Sequence, residues 1–115
     1  MNVDFLRTFC KTLPATTEDI KWGHDLCFSV GGKMYCVTGI DGPFSASFKV
    51  PDEDFEELSS RPGFMPAPYM ARNKWVNVND QSRLKKKEWE QLVKQSYELV
   101  KAKLTAKARR ELKID

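Results

Sequence analysis

Apolar and polar side chains alternate most cleanly in Phe44-Ser-Ala-Ser-Phe-Lys-Val50. Phe44, Ala46, Phe48 and Val50 point one way and Ser45, Ser47 and Lys49 the other, the pattern of a half-buried antiparallel strand with one wet or partner-facing side. Two β-rich runs, Leu26–Val30 and Lys33–Thr38, flank Gly31-Gly32 and predict a hairpin. With the two glycines as the whole turn, Ser29 faces Met34, Phe28 faces Tyr35 and Cys27 faces Cys36. Leu26, Phe28, Val30, Tyr35 and Val37 then share one face, and Cys27, Ser29, Met34, Cys36 and Thr38 the other. Thr16–Trp22 and Trp75–Val78 read as further strands. The period becomes helical at both ends. Val3, Leu6, Phe9, Cys10 and Leu13 follow an Asn2 cap, and Trp89, Leu92, Val93, Ser96, Tyr97, Val100 and Leu104 mark a long amphipathic helix from about Leu84 to Leu104. Pro51–Ser60 predicts a short helix with Asp52, Glu53 and Asp54 at its positive end.

Arg61–Lys74 fits neither period. Pro62, Pro66 and Pro68 stiffen it, Gly63 turns it, and Phe64, Met65 and Tyr69 give it apolar area. Such a loop is expected to pack on its own domain and to leave Arg72-Asn73-Lys74 facing outward. Thr105–Asp115 is expected as a frayed extra turn or a mobile basic tail. The elements predict a single α+β domain over residues 1–115. It has one antiparallel sheet of about five strands in the order α-β-β-β-β-α-β-α, with its helices mainly on one face.

The formal charge of +3 is unevenly spread. Residues 1–82 hold 8 Lys/Arg against 11 Asp/Glu, and residues 83–115 hold 11 against 5. That asymmetry points to an anionic partner, or to a basic helix face that is merely solvated. No apolar run approaches the ~18 residues of a membrane span. Asp4 sits where a signal peptide would carry only basic charge. A cytoplasmic monomer without membrane contact is the expectation. Cys10, Cys27 and Cys36 form no even set and no C-x-x-C pair, so a disulfide framework is not expected.

Candidate chemistry is sparse. The hairpin register sets Cys27 beside Cys36, with His24 nearby, but a structural zinc site wants four ligands, so the cysteines are expected to be reduced, metal-free packing residues. The acidic residues from Asp52 to Glu57 are explained by the helix dipole and form no extended ridge for iron. His24 is the single histidine, no Gly-x-Ser-x-Gly elbow occurs, and Gly31-Gly32-Lys33 joins two strands rather than opening a helix as a phosphate loop does. A non-enzymatic protein without cofactor is expected.

The order of parts resembles the MmcQ/YjbR family of small bacterial proteins. Gly31-Gly32-Lys33-Met34, Pro62-Gly63 with Pro66-Ala67-Pro68-Tyr69, Lys74-Trp75 and Ser96-Tyr97 carry the resemblance, which covers nearly the whole chain. It implies a fold similar to the frataxin/CyaY-like α+β sandwiches and a double-wing type of DNA-binding domain, and it brings no catalytic residues. Cys27, Cys36, His24 and the basic segment after Leu104 lie outside the pattern.

Two functions follow. The first is DNA binding through Lys33 at the hairpin tip, Lys49 on the polar strand face, and Arg72 and Lys74 beside Trp75, with lysine and arginine holding phosphates. Against it stands a merely solvated surface with Trp75 and Tyr69 buried in the core, and for these two aromatics the core is the expectation. The second is a protein- or small-ligand-interaction module that uses the apolar Phe64–Met70 loop. It is distinguished by whether Phe64, Met65 and Tyr69 are exposed together.

Overall fold

The computed structural model describes residues 1–114. The side-chain oxygen of Asn2 accepts the Phe5 N–H at 2.8 Å and opens α1 (Val3–Cys10). Three strands follow, β1 (Thr16–Lys21), β2 (Asp25–Val30) and β3 (Lys33–Gly39), then β4 (Ala46–Lys49). A 3₁₀ turn at Asp52–Asp54 leads into α2 (Phe55–Ser59). Next come β5 (Phe64–Pro66), β6 (Trp75–Val78), α3 (Lys86–Ala102) and α4 (Ala106–Leu112). All strand pairs are antiparallel, and the sheet order is β1-β2-β3-β4-β6-β5.

The α+β class and the single antiparallel sheet agree with the sequence reading, with six strands in place of about five. The added strand is β5, which pairs Met65 with Asn77 at the sheet edge. Its Pro66 lacks an N–H to donate, which an edge strand tolerates.

Leu6 and Cys10 of α1 and Trp89, Val93, Tyr97 and Val100 of α3 pack on Phe28, Val30, Tyr35, Cys36, Phe48, Val50, Val76 and Val78. This is the main core, and α1 and α3 cover one face of the sheet with it. The hydroxyl of Tyr97 donates to the carbonyl of Pro14 at 2.6 Å and ties α3 to the end of the first helical segment. Among the described residues no α-helix packs on the opposite face. Cys27, Val37, Ala67 and Trp75 form a smaller cluster there, with Met34 and Met70 beside it.

The hairpin corrects the expected register. Val30 pairs with Lys33 and Ser29 with Met34 as expected, but Phe28 pairs with Cys36 and Cys27 with Val37. Tyr35 is therefore an extra residue, a bulge that reverses the facing of everything after it in β3. Cys36 and Thr38 turn to the helix side and Val37 to the open side. Cys27 and Cys36 are not neighbours; the sheet lies between them, and Cys36 stands beside Cys10 of α1.

Residues 105–114 are not the frayed turn or mobile tail expected. Thr105 caps α4 by accepting the Ala108 N–H at 3.0 Å, and Ile114 beyond it is buried in the main core. The docking is continuous with the hairpin, since Leu104 packs directly over Gly31, which has φ +59. A Cβ at Gly31 would come within 2.7 Å of the Leu104 methyls.

Candidate functional site

The helix-free face is built from rows of paired residues. One row runs Asp19, Cys27, Val37, Ser47, Asn77 and Met65 from β1 to β5. Ser47, expected on a wet face, is buried and accepts a hydrogen bond from Asn77 Nδ2 at 2.9 Å. The segment after β5 folds back over this face. Ala67 donates its N–H to the Trp75 carbonyl at 3.0 Å, and Ala67 and Met70 join the cluster around Cys27 and Trp75. Burial pushes the Cys27 thiol above its usual range.

Between this fold-back and the β1–β2 turn lies a cleft of about 600 Å³, lined by Trp22, His24, Asp25, Met34, Val37, Pro68, Tyr69 and Met70. The volume suits a small organic ligand. A second hollow, of about 540 Å³ between α1 and β1, has the Arg7–Glu18 ion pair, at 2.7 Å, among its lining residues.

The two aromatic walls of the cleft are held in unusual backbone. The Met70 N–H donates to the Ala67 carbonyl at 3.1 Å, closing a turn in which Pro68 precedes Tyr69 at φ +65. That position in a turn favours glycine or asparagine. The His24 N–H donates to the Lys21 carbonyl at 3.3 Å, with Trp22 at φ +55 and Gly23 at φ +77. Hairpin turns with two positive φ values take asparagine, aspartate or glycine at the place where this chain has tryptophan. Trp22 is 64% exposed and Tyr69 fully so. Two bulky side chains thus occupy left-handed positions at a cost of roughly 1–2 kcal/mol each, without burying their rings.

The Phe64–Met70 loop therefore divides. Phe64 is buried in the main core, Met65 is exposed on the open face at the β5 edge, and Tyr69 stands in solvent rather than in the core. Trp75 is buried, as expected. Trp22 went unnoticed in the sequence because its run reads as a strand. The signal was a tryptophan immediately before the glycine of a turn.

The four basic residues expected to face DNA gather only in part. Lys33 begins β3 and Lys49 ends the antiparallel β4, so both stand at one end of the sheet, where Lys49 pairs with Trp75 and so lies next to Lys74. Lys49 Nζ donates to the Asn73 carbonyl at 2.6 Å, and Lys74 Nζ lies 5.1 Å from the centre of the Phe55 ring. Lys33 and Arg72 are exposed, Arg72 in a 3₁₀ turn. Burial, then the nearby Lys103, lowers the proton affinity of Lys49, and Lys74 adds to this while Asp52 opposes it. Lys103, from the end of α3, is a basic residue of this group that sequence reasoning missed. Among the described residues no three His, Cys, Asp or Glu side chains are placed to hold a metal ion, and no helix is long and apolar enough to cross a membrane.

Residues 11–99 match the model of the YjbR family. The chain belongs to the YjbR family. The match contains every residue of the cleft and leaves α4 outside. A similar solved structure is the Deinococcus radiodurans protein DR2400, described as a DUF419 domain, at 32% identity and a TM-score of 0.89, covering 99% of this chain and 89% of that one. A protein from Pseudomonas syringae shares the fold at 24% identity and a TM-score of 0.73, covering 87% of this chain and 99% of that one. No curated protein matches the chain.

Proposed function

We propose that this YjbR-family chain is a non-enzymatic binding domain whose small-molecule ligand seats in the cleft on the helix-free face. One observation carries the reading: Trp22 and Tyr69 hold exposed rings at the cleft mouth from backbone positions that glycine would fill at lower cost. Local rules of sequence and turn chemistry are broken where function compensates for the loss. The lining also argues against catalysis. It holds no Ser, Thr or Cys side chain, and His24 Nε2 stands 3.9 Å from Asp25 Oδ2, beyond hydrogen-bonding distance.

The test is a fragment screen followed by amide chemical-shift mapping. Hits should perturb Trp22, Met34, Val37, Tyr69 and Met70 together and lose binding in the Trp22→Ala, Tyr69→Ala double variant. Hits that map elsewhere, or survive the double variant, overturn the reading.

A second reading, DNA binding, is supported by the convergence of Lys33, Lys49, Lys74 and Lys103 from four separate segments on one end of the sheet. Asp52 and Glu53 beside Lys49 and Lys103 work against it. If these lysines hold phosphates, replacing Lys33 and Lys103 by Gln should reduce the log–log salt slope of DNA binding by about 2. Absence of binding at low salt dismisses this reading.

A further inference from the structure

We infer that the cleft selects a small organic cation: a compact aromatic or aliphatic body carrying an ammonium group. The inference rests on the cleft reading above and adds the charge of the ligand. No lysine or arginine is among the lining residues, so an anion entering the cleft meets no permanent positive charge there. A cation meets the carboxylate of Asp25, which is only 28% exposed and accepts no hydrogen bond among the described residues. Its nearest basic atom is His24 Nε2 at 3.9 Å, beyond hydrogen-bonding distance.

The surroundings add to the bias. Asp19 shares the open face, directly opposite Cys27 on β1. Lys21 is opposite Asp25 across the same strand pair, without an ion pair to it among the described residues, so two carboxylates stand against one ammonium. The ring faces of Trp22 and Tyr69 attract cations through their quadrupoles, and the thioethers of Met34 and Met70 adapt to varied apolar shapes.

Three probes with one ring and different charge decide the matter: phenethylammonium, 2-phenylethanol and 3-phenylpropanoate, each titrated into the full chain with amide shifts as the readout. The cation should bind about fivefold or more tightly than the alcohol, the increment of a partly desolvated cation–π contact, and the carboxylate should bind least. Asp25→Asn should weaken the cation selectively, leaving only the part of its advantage that the ring faces supply. Unchanged binding of the alcohol to that variant shows that its fold and cleft are intact. Equal affinities for cation and alcohol, or equal losses of both in Asp25→Asn, overturn the cation inference and leave the cleft standing. Shifts at none of Trp22, Met34, Val37 or Tyr69 with any of the three probes overturn the cleft reading with it.

Discussion

The hydroxyl of Ser96 donates to the main-chain carbonyl of Tyr35 at 2.6 Å, from a helix to the bulged residue of a strand. The same oxygen accepts the N–H of Lys49 at 2.9 Å. The β3–β4 ladder ends at the pair Cys36–Phe48, and Ser96 bridges the next two backbone groups in place of a direct bond. A buried helix side chain thus completes the sheet where the bulge interrupts it, as buried polar groups require.

Ser96→Ala leaves that carbonyl and that N–H without their partner in a site closed to solvent. The expected loss is about 2–4 kcal/mol of unfolding free energy, measured by urea denaturation. A loss below about 0.5 kcal/mol would mean that β3 and β4 rejoin directly and that the bridge is dispensable.

The facing of the cysteines gives a second prediction. Cys27 lies on the open face and Cys36 in the main core, both fully buried, with the hydrogen-bonded Cys10 thiol first and burial second pushing the Cys36 thiol well above its usual range. Thiols held neutral and enclosed react slowly. An aromatic disulfide reagent should therefore modify the cysteines only as denaturant unfolds the chain. Peptide mapping of the native protein after oxidation that finds Cys27 joined to Cys36 contradicts the register.

The third concerns acid. The hydrogen bond from Arg7 holds the carboxyl of Glu18 below its usual range, against a smaller opposing effect of burial. A depressed folded value stabilises the fold above the unfolded pKa of about 4.3, and the contribution disappears as pH falls through the folded value. Glu18→Gln should therefore lower the melting temperature slightly at pH 7 and flatten its fall between about pH 5 and 3. Parallel melting curves for variant and parent across that range would contradict the pairing of α1 with β1.

Much of this fold is legible in the sequence because single periods persist across whole elements. Phe44–Val50 alternates without a break, and Ala46, Phe48 and Val50 face the core as the pattern requires. The α3 stripe from Trp89 to Val100 is likewise the buried one. The failures are local. Tyr35 breaks the hairpin register with one extra residue, and nothing in Met34-Tyr-Cys-Val37 marks where a bulge falls. The prolines of Pro62–Pro68 argue for a loop, yet an edge strand needs hydrogen bonds on one side only, and Phe64–Pro66 forms one. Residues 106–112 look like a charged tail because their anchor, Ile114, comes after the charges. The cleft itself is long-range: it joins the turn at Trp22 to the turn at Tyr69, and only the folded sheet brings those together.

The central claim is that Tyr69 serves the cleft and not the fold, and one substitution separates the two. Tyr69→Gly removes a fully exposed ring from a left-handed position. Relief of roughly 1–2 kcal/mol of strain offsets the roughly 0.5–1 kcal/mol of added chain entropy. The measurement is urea denaturation of this variant beside its phenethylammonium titration. The account predicts stability equal to or above that of the parent, with binding lost. A variant destabilised by more than about 1 kcal/mol, or one that binds the probe as the parent does, contradicts it.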